Sequence, residues 1–331
     1  MLNNLNILFM ILIFSSSILS VSSSSWLGVW MGLELNMLSF IPLLIEQKNS
    51  LSNEVGLKYF LVQAMASSLF ISFSIMNTFW FIPFSIFNPM NFNLLILPLL
   101  IKLGAAPFQT WFIMLMNKLN WWKALLLATW QKFTPLVILS YIFMNQIIII
   151  MISSFSLLVG SVGGLTQTSF QKIFAFSSIS HLGWIISSLL VSSQLMFLYF
   201  VLYTLMNTML FLFMFLFNTF HFNQNLLNLQ STIFTLSILS LSGLPPFWGF
   251  ISKWLVIQNL ISLNQMLLTF LLIFSALINL IFYLRLITNY SMLSFSSMKW
   301  LTDKNKISKT SLMIFFALNL MGLLMFNFIL L

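Results

Sequence analysis

Long apolar runs alternate along this chain with short connections that hold most of its charged residues. A helix that crosses a bilayer needs about 20 mostly apolar residues. Eleven runs meet that length: 3–22, 25–45, 57–78, 92–118, 122–145, 147–166, 171–191, 194–218, 229–258, 265–288 and 310–330. The pattern therefore predicts an all-α integral membrane fold of about eleven transmembrane helices, as a single transmembrane domain over residues 1–331.

Composition supports this fold class and excludes several functions. The chain is 60% hydrophobic and 5% charged, with a mean hydropathy of +1.04. A soluble domain carries about 25% charged residues. The absence of Cys excludes disulfides, thiol catalysis and Cys-ligated metals. The net charge of +9 is spread without a Lys/Arg run, which argues against a nucleic-acid partner.

The charges also predict an orientation. Connections that share a side of the membrane hold ten of the thirteen basic residues: Lys48, Lys58, Lys118, Lys123, Lys172, Arg285, Lys299, Lys304, Lys306 and Lys309. The alternate connections hold no Lys or Arg. By the positive-inside rule, the N-terminus and the basic connections lie on the side from which the chain is inserted.

The three remaining lysines, Lys102, Lys132 and Lys253, fall inside predicted spans and beside helix-breaking residues. A Lys at the bilayer centre costs about 2.5–3.5 kcal/mol on insertion scales, and a Pro frees a backbone carbonyl that needs a partner. Charge and helix break together predict a polar pathway near the bilayer midplane. The predicted breaks are Gly104, Pro107, Pro135, Gly243, Pro245 and Pro246.

Two of these breaks share the pattern G-x-x-P-F, at residues 104–108 in the fourth span and 243–247 in the ninth. The spans are five apart, so they cross the membrane in opposite directions. The sequence therefore predicts two five-helix inverted repeats, over about 1–145 and 147–288, and an added helix at about 310–330.

Glu34, Lys102, Lys132, His181 and Lys253 are the candidate proton-carrying residues. Desolvation favours the neutral form of a buried amine, so a buried Lys can release and regain a proton. His titrates nearest to neutral pH and could act as a relay. The structural alternatives are a Glu that only holds two helices, lysines that only brace the bundle, a Lys253 that extends to the interface, and a His that is only hydrogen-bonded.

Other kinds of chemistry lack their motifs. There is no G-x-G-x-x-G after a strand and no Walker lysine motif, and the single Asp, Asp303, rules out a Ser-His-Asp triad. We therefore expect no redox or hydrolytic site, no cofactor and no metal within this chain.

Five segments carry a resemblance to a known family: 26–44 (WLGVWMGLELNMLSFIPLL), 102–108 (KLGAAPF), 129–136 (TWQKFTPL), 163–184 (GGLTQTSFQKIFAFSSISHLGW) and 243–254 (GLPPFWGFISKW). In this order they resemble the chain 2 family of mitochondrial NADH–ubiquinone oxidoreductase, respiratory complex I. Two positions depart from that family. Gln109 stands where many relatives carry His, and Ser252 stands where they often carry Pro.

The resemblance implies a proton-pumping, antiporter-like subunit of the mitochondrial inner membrane, with its N-terminus and basic loops in the matrix. It implies that Glu34 pairs with Lys102, and that protons pass by Lys132 and Lys253 with His181 on the same polar axis. It also implies partners among neighbouring antiporter-like and small membrane subunits. NADH, FMN, iron–sulfur clusters and ubiquinone would be bound by other subunits. The alternatives are a structural membrane-arm subunit and a stand-alone cation/proton antiporter.

Overall fold

The computed structural model describes residues 4–45, 50–79, 94–142, 145–217, 228–245 and 247–295, without the side chains of 78–79, 228–231 and 290–295. Regular structure in this part of the chain is helical. The helices are α1 (Asn4–Ser22), α2 (Trp26–Leu44), α3 (Ser50–Phe79), α4 (Ile96–Leu103), α5 (Thr110–Met116), α6 (Trp121–Ala128), α7 (Trp130–Tyr141), α8 (Gln146–Leu165), α9 (Phe170–Ser188), α10 (Ser193–Phe217), α11 (Asn228–Ser242), α12 (Trp248–Ser262) and α13 (Met266–Phe295).

Six of these helices are long and apolar enough to cross a membrane: α1, α2, α3, α8, α10 and α13. The fourth, fifth and ninth predicted spans each consist of two shorter helices. The eleventh predicted span, 310–330, lies outside the described residues, as does Pro246. The count of eleven spans therefore stays a prediction.

The fifth predicted span differs from expectation in where it is interrupted. Pro135, predicted as a break, lies inside α7, and the interruption falls at Thr129 between α6 and α7. The Thr129 hydroxyl donates to the Leu125 carbonyl over 2.7 Å. A hydroxyl bonded back to the preceding turn commonly bends a helix. The helix continues through Pro135, whose missing N–H removes one backbone hydrogen bond.

The surface and interior show the polarity expected in lipid. Apolar side chains on α1 and α13 are largely exposed, including Leu5, Ile18, Leu267 and Phe270 at 66–72%. Polar groups occupy the interior, where most buried Ser hydroxyls donate to a carbonyl three residues earlier (Ser16 in α1 is one example). The chain is therefore an all-α integral membrane protein.

The chain divides into two compact units, Met1–Ile149 and Ile150–Leu331. In unit 1, α2 packs against α1 and α3, α3 against α4 and α5, and α7 against α1, α4 and α6. In unit 2, α9 packs against α10, α12 and α13, and α11 contacts α10, α12 and α13. The second unit is thus built around α9, in which nearly every residue is buried.

One end of unit 1 is held together by charges. Glu54 forms ion pairs with Lys58 over 2.5 Å and with Lys118 over 2.6 Å. Lys123 donates to the Leu44 carbonyl at the end of α2 over 3.1 Å. These contacts bring the α2–α3 and α5–α6 connections to the same end. The Glu54–Lys58 pair, spaced i,i+4, also favours the helical start of α3, which begins seven residues before the predicted span.

Small residues let α1 and α2 approach closely. A Cβ placed on Gly32 would lie 2.6 Å from Ser20 Cβ and 2.7 Å from both the Cα and N of Ser20. Small residues at such crossings allow the backbone contact that drives helix association in membranes.

Gly32→Ala should therefore destabilise unit 1, because the added methyl meets backbone atoms that cannot move aside; overpacking costs about 1–3 kcal/mol. Gly56→Ala is the matched control, since its added Cβ meets only the Ile45 side chain. Thermal unfolding in detergent should show a lower midpoint for Gly32→Ala than for Gly56→Ala. Equal midpoints would contradict this account of the packing.

Candidate functional site

The candidate residues of unit 1 gather around a helix interruption. α4 ends at Leu103, Gly104 adopts φ +66°, and α5 begins only at Thr110. A left-handed Gly after the last turn is a common way for a helix to end. The Ala105 N–H donates to the Leu100 carbonyl, and the Trp111 indole donates to the Ile101 carbonyl over 3.0 Å. Pro107 lies in the connection, at an exposed position.

Lys102 lies in the last turn of α4 and is 6% exposed. Carbonyl groups at a helix C-terminus carry partial negative charge and favour a nearby cation. Gln63 of α3 donates its side-chain amide to the Lys102 carbonyl over 3.5 Å. Helix end and charge therefore coincide inside the unit.

Lys132 lies near the start of α7 and is 2% exposed. Its ammonium nitrogen is 4.5 Å from the centre of the Phe112 ring. An aromatic face attracts a cation, more strongly when water is excluded. Phe112 belongs to α5, so the second half of the interrupted helix contacts Lys132, while Lys102 lies on its first half.

Lys102 and Lys132 both line one cavity. Its volume is about 20 Å³ for the centres of water molecules, enough for one or two waters. Polar side chains from three helices line it and are hydrogen-bonded in a row: the Tyr59 hydroxyl donates to Gln131 over 3.1 Å, and the Gln131 amide donates to Asn36 over 2.8 Å. The cavity is therefore both large enough and polar enough for water.

Glu34 lies on α2, half-buried, close enough to Lys102 and Tyr59 for an electrostatic interaction. Within the described part of the chain, no ion pair within 4.0 Å joins Glu34 to Lys102. The Glu34 Oε2 atom is buried and accepts no hydrogen bond from these residues. Glu34 therefore acts on Lys102 through its field rather than by direct contact.

Unit 2 contains a second interruption with a lysine on it. α11 ends at Ser242, Gly243 adopts φ +80°, and α12 begins at Trp248 after a connection that contains Pro245. The Lys253 ammonium folds back from α12 and donates to the Ser242 carbonyl over 2.6 Å and to the Leu241 carbonyl over 3.4 Å. Lys253 is 6% exposed, so it caps the broken helix instead of extending to an interface.

His181 lies in the middle of α9 and is 2% exposed. Its Nδ1 shares a hydrogen bond with the Tyr199 hydroxyl over 3.0 Å. The indole of Trp184 stacks on Tyr199 and lies 5.8 Å from the Lys253 ammonium. His181 and Lys253 thus contact neighbouring aromatic residues of one polar cluster.

Sequence reasoning missed the uncharged members of both sites. Tyr59, Gln63 and Gln131 in unit 1 and Tyr199 in unit 2 make the hydrogen bonds that surround the charged groups. One signal was available, because Tyr59 and Gln63 are spaced i,i+4 on α3 and so share a face. No comparable pattern marks Tyr199.

The family model described as "NADH:quinone oxidoreductase/Mrp antiporter, TM" matches residues 23–279. The chain belongs to this family. A relative named NADH-ubiquinone oxidoreductase chain 2, from Anopheles gambiae, is 43% identical over 335 residues, covering 98% of this chain and 97% of the relative. The matched range includes every candidate charged residue of both units.

Solved structures show the fold of the NADH:quinone oxidoreductase/Mrp antiporter family. A chain of respiratory complex I from Thermus thermophilus with bound aureothin matches with a TM-score of 0.81 and 21% identity, covering 96% of this chain and 77% of that one. A chain of the Mrp complex from Dietzia sp. matches with a TM-score of 0.78 and 16% identity, covering 85% of this chain and 59% of that one.

Gly243 should prove necessary for the position of Lys253. An added Cβ would lie 2.8 Å from Lys253 Cδ and 2.9 Å from its Nζ, and φ +80° is strained for any residue with a side chain. We expect Gly243→Ala to displace the Lys253 ammonium from the Ser242 carbonyl, as seen in a high-resolution map of the variant. Ser242→Ala, which keeps both the carbonyl and the Gly, is the control. An unmoved Lys253 in the Gly243 variant would contradict the prediction.

Proposed function

We propose that this chain is a proton-translocating, antiporter-like subunit of NADH:ubiquinone oxidoreductase, complex I, in the mitochondrial inner membrane. The observation that carries the proposal is the burial of Lys102 and Lys132 around one polar cavity next to an interrupted helix. Buried amines beside room for water can exchange protons, whereas amines sealed in apolar packing cannot. The chain 2 relative supplies the name of the larger enzyme.

The proposed path uses the charged residues of both units: Glu34, Lys102 and Lys132 in unit 1, and His181 and Lys253 in unit 2. Each lysine meets partners that favour its charged form, yet each is almost entirely removed from water. The balance between charged and neutral amine is therefore sensitive to small changes of field.

The proposed mechanism is electrostatic. A charge change that arrives from a neighbouring subunit alters the field of Glu34 at Lys102, and Lys102 then releases or binds a proton through water in the cavity. Glu34 suits this role because it acts on Lys102 without an ion pair. A contact pair would hold both charges in place, while a separated pair responds to a third charge.

The finer architecture belongs to the same proposal. We infer eleven spans in two five-helix inverted repeats and one C-terminal helix. The boundary between the compact units, at 149–150, lies within a few residues of the proposed boundary between the repeats. Each proposed repeat also contains one helix that ends at a left-handed Gly, Gly104 or Gly243. We place the N-terminus and the basic connections in the matrix.

Redox chemistry is assigned to other parts of the enzyme. We infer that NADH, FMN, the iron–sulfur clusters and ubiquinone are bound by other subunits, and that this chain contacts neighbouring antiporter-like and small membrane subunits. The exposed apolar faces of α1 and α13 suit either lipid or such membrane partners. The chain therefore contributes proton transfer and no electron transfer.

Lys102→Met should abolish proton transfer through this chain without preventing assembly, because Met keeps an unbranched side chain of similar size and removes the proton site. The measurement is the number of protons moved per electron in the assembled complex, reconstituted in vesicles and supplied with NADH and ubiquinone. Lys58→Met is the control, since it removes only an exposed ion pair with Glu54, and such pairs contribute little to stability. An unchanged ratio in assembled Lys102→Met would favour a purely structural subunit.

Glu34→Gln should weaken coupling without abolishing it. The amide keeps the shape of the side chain but removes the field at Lys102. We expect the proton-to-electron ratio of this variant to lie between those of the native complex and Lys102→Met. A ratio equal to the native value, in complexes that assemble normally, would show that Glu34 has only a structural role.

A further inference from the structure

Unit 2 contains a buried hydrogen bond to His181 that does not depend on charge. The Tyr199 side chain on α10 is fully buried. Its hydroxyl shares a hydrogen bond with His181 Nδ1 of α9 over 3.0 Å. Tyr199 therefore joins α10 to the central helix of the unit.

The aromatic ring of Tyr199 also has a stacking partner. Trp184 stacks on it with ring centres 6.3 Å apart and an angle of 13° between the planes. The Lys253 ammonium lies 5.8 Å from the centre of the Trp184 ring. Tyr199 thus contacts His181 through a hydrogen bond, and Trp184 contacts both Tyr199 and the Lys253 ammonium through its aromatic ring.

We propose that Tyr199 is a positioning residue that holds the His181 ring in one orientation. This inference rests on the proposed function and adds a residue to it. A hydroxyl can donate one hydrogen bond and accept two. The Tyr199 hydroxyl can therefore donate to His181 Nδ1 or accept from it, and the direction of this bond can reverse when His181 gains or loses a proton.

A histidine ring needs such a partner to act in one defined way. Its two nitrogens are distinct, and the hydrogen bond made by one of them sets which nitrogen carries the proton. Without the hydroxyl, His181 Nδ1 loses its bond to Tyr199 and the ring loses a constraint on its rotation. The Trp184 and Tyr203 rings would still fill the space around it, since Tyr203 lies 5.1 Å from His181 between ring centres.

The test is Tyr199→Phe in the assembled complex, scored both as the rate of proton transfer and as the number of protons moved per electron. This variant removes one oxygen and leaves the stacking on Trp184 intact. We expect the rate of proton transfer to fall by between about two- and tenfold, the range that follows from the loss of one buried hydrogen bond. Tyr203→Phe is the matched control, because its ring also lies next to His181 while the hydroxyl it removes is not the one bonded to His181 Nδ1. Equal effects of the two variants would overturn the proposal.

A double-mutant cycle separates positioning from general stability. If Tyr199 acts through His181, Tyr199→Phe should have little further effect in a His181→Gln background. An undiminished effect there would show that Tyr199 acts elsewhere, and an inert His181→Gln would also overturn the proposal.

Lys253→Met in the same assay tests the proposed function by itself. An unchanged proton-to-electron ratio in that variant contradicts proton passage through unit 2. A lowered ratio together with a harmless Tyr199→Phe contradicts only the positioning role of Tyr199.

Discussion

The site in unit 2 depends on one interaction, between the Lys253 ammonium and the carbonyl groups at the end of α11. A helix that ends within apolar surroundings leaves carbonyl groups without partners, and each such group is costly there. A buried ammonium has the opposite need, because it has lost its water. The ammonium donates hydrogen bonds to the free carbonyl groups, so the helix break and the buried charge stabilise each other, although neither would be stable alone.

In unit 1, different residues bond to the free carbonyl groups at the helix end and surround the buried amines. The carbonyl groups at the end of α4 are occupied by the Trp111 indole and by backbone N–H groups, so Lys102 is not required as a cap. Lys132 faces an aromatic ring, and the cavity beside the two lysines is lined by amides and a phenol. Apart from the two lysines, the groups that line this cavity are therefore neutral, and Glu34 acts on Lys102 without lining the cavity.

The sequence predicted the all-helical membrane fold and the interruptions near Gly104 and Gly243, because apolar length and Gly/Pro placement are local signals. The predicted helix break at Pro135 was wrong. The helix accommodates that proline, whereas Thr129, six residues earlier, interrupts it through a side-chain hydrogen bond. The partners of the charged groups could not be predicted either, since Tyr199 and Gln131 contact residues that are distant in the chain. Pairings of that kind depend on how helices pack, which no short pattern encodes.

The partner of Lys253 is made of main-chain atoms, and every amino acid at positions 241 and 242 supplies the same oxygens. Leu241 and Ser242 could therefore be exchanged for other helix-compatible residues in related chains without loss of the contact. A comparison of side chains alone would find no counter-ion for this lysine. Its partner is the negative end of a helix dipole, and main-chain atoms supply that whatever the residue type.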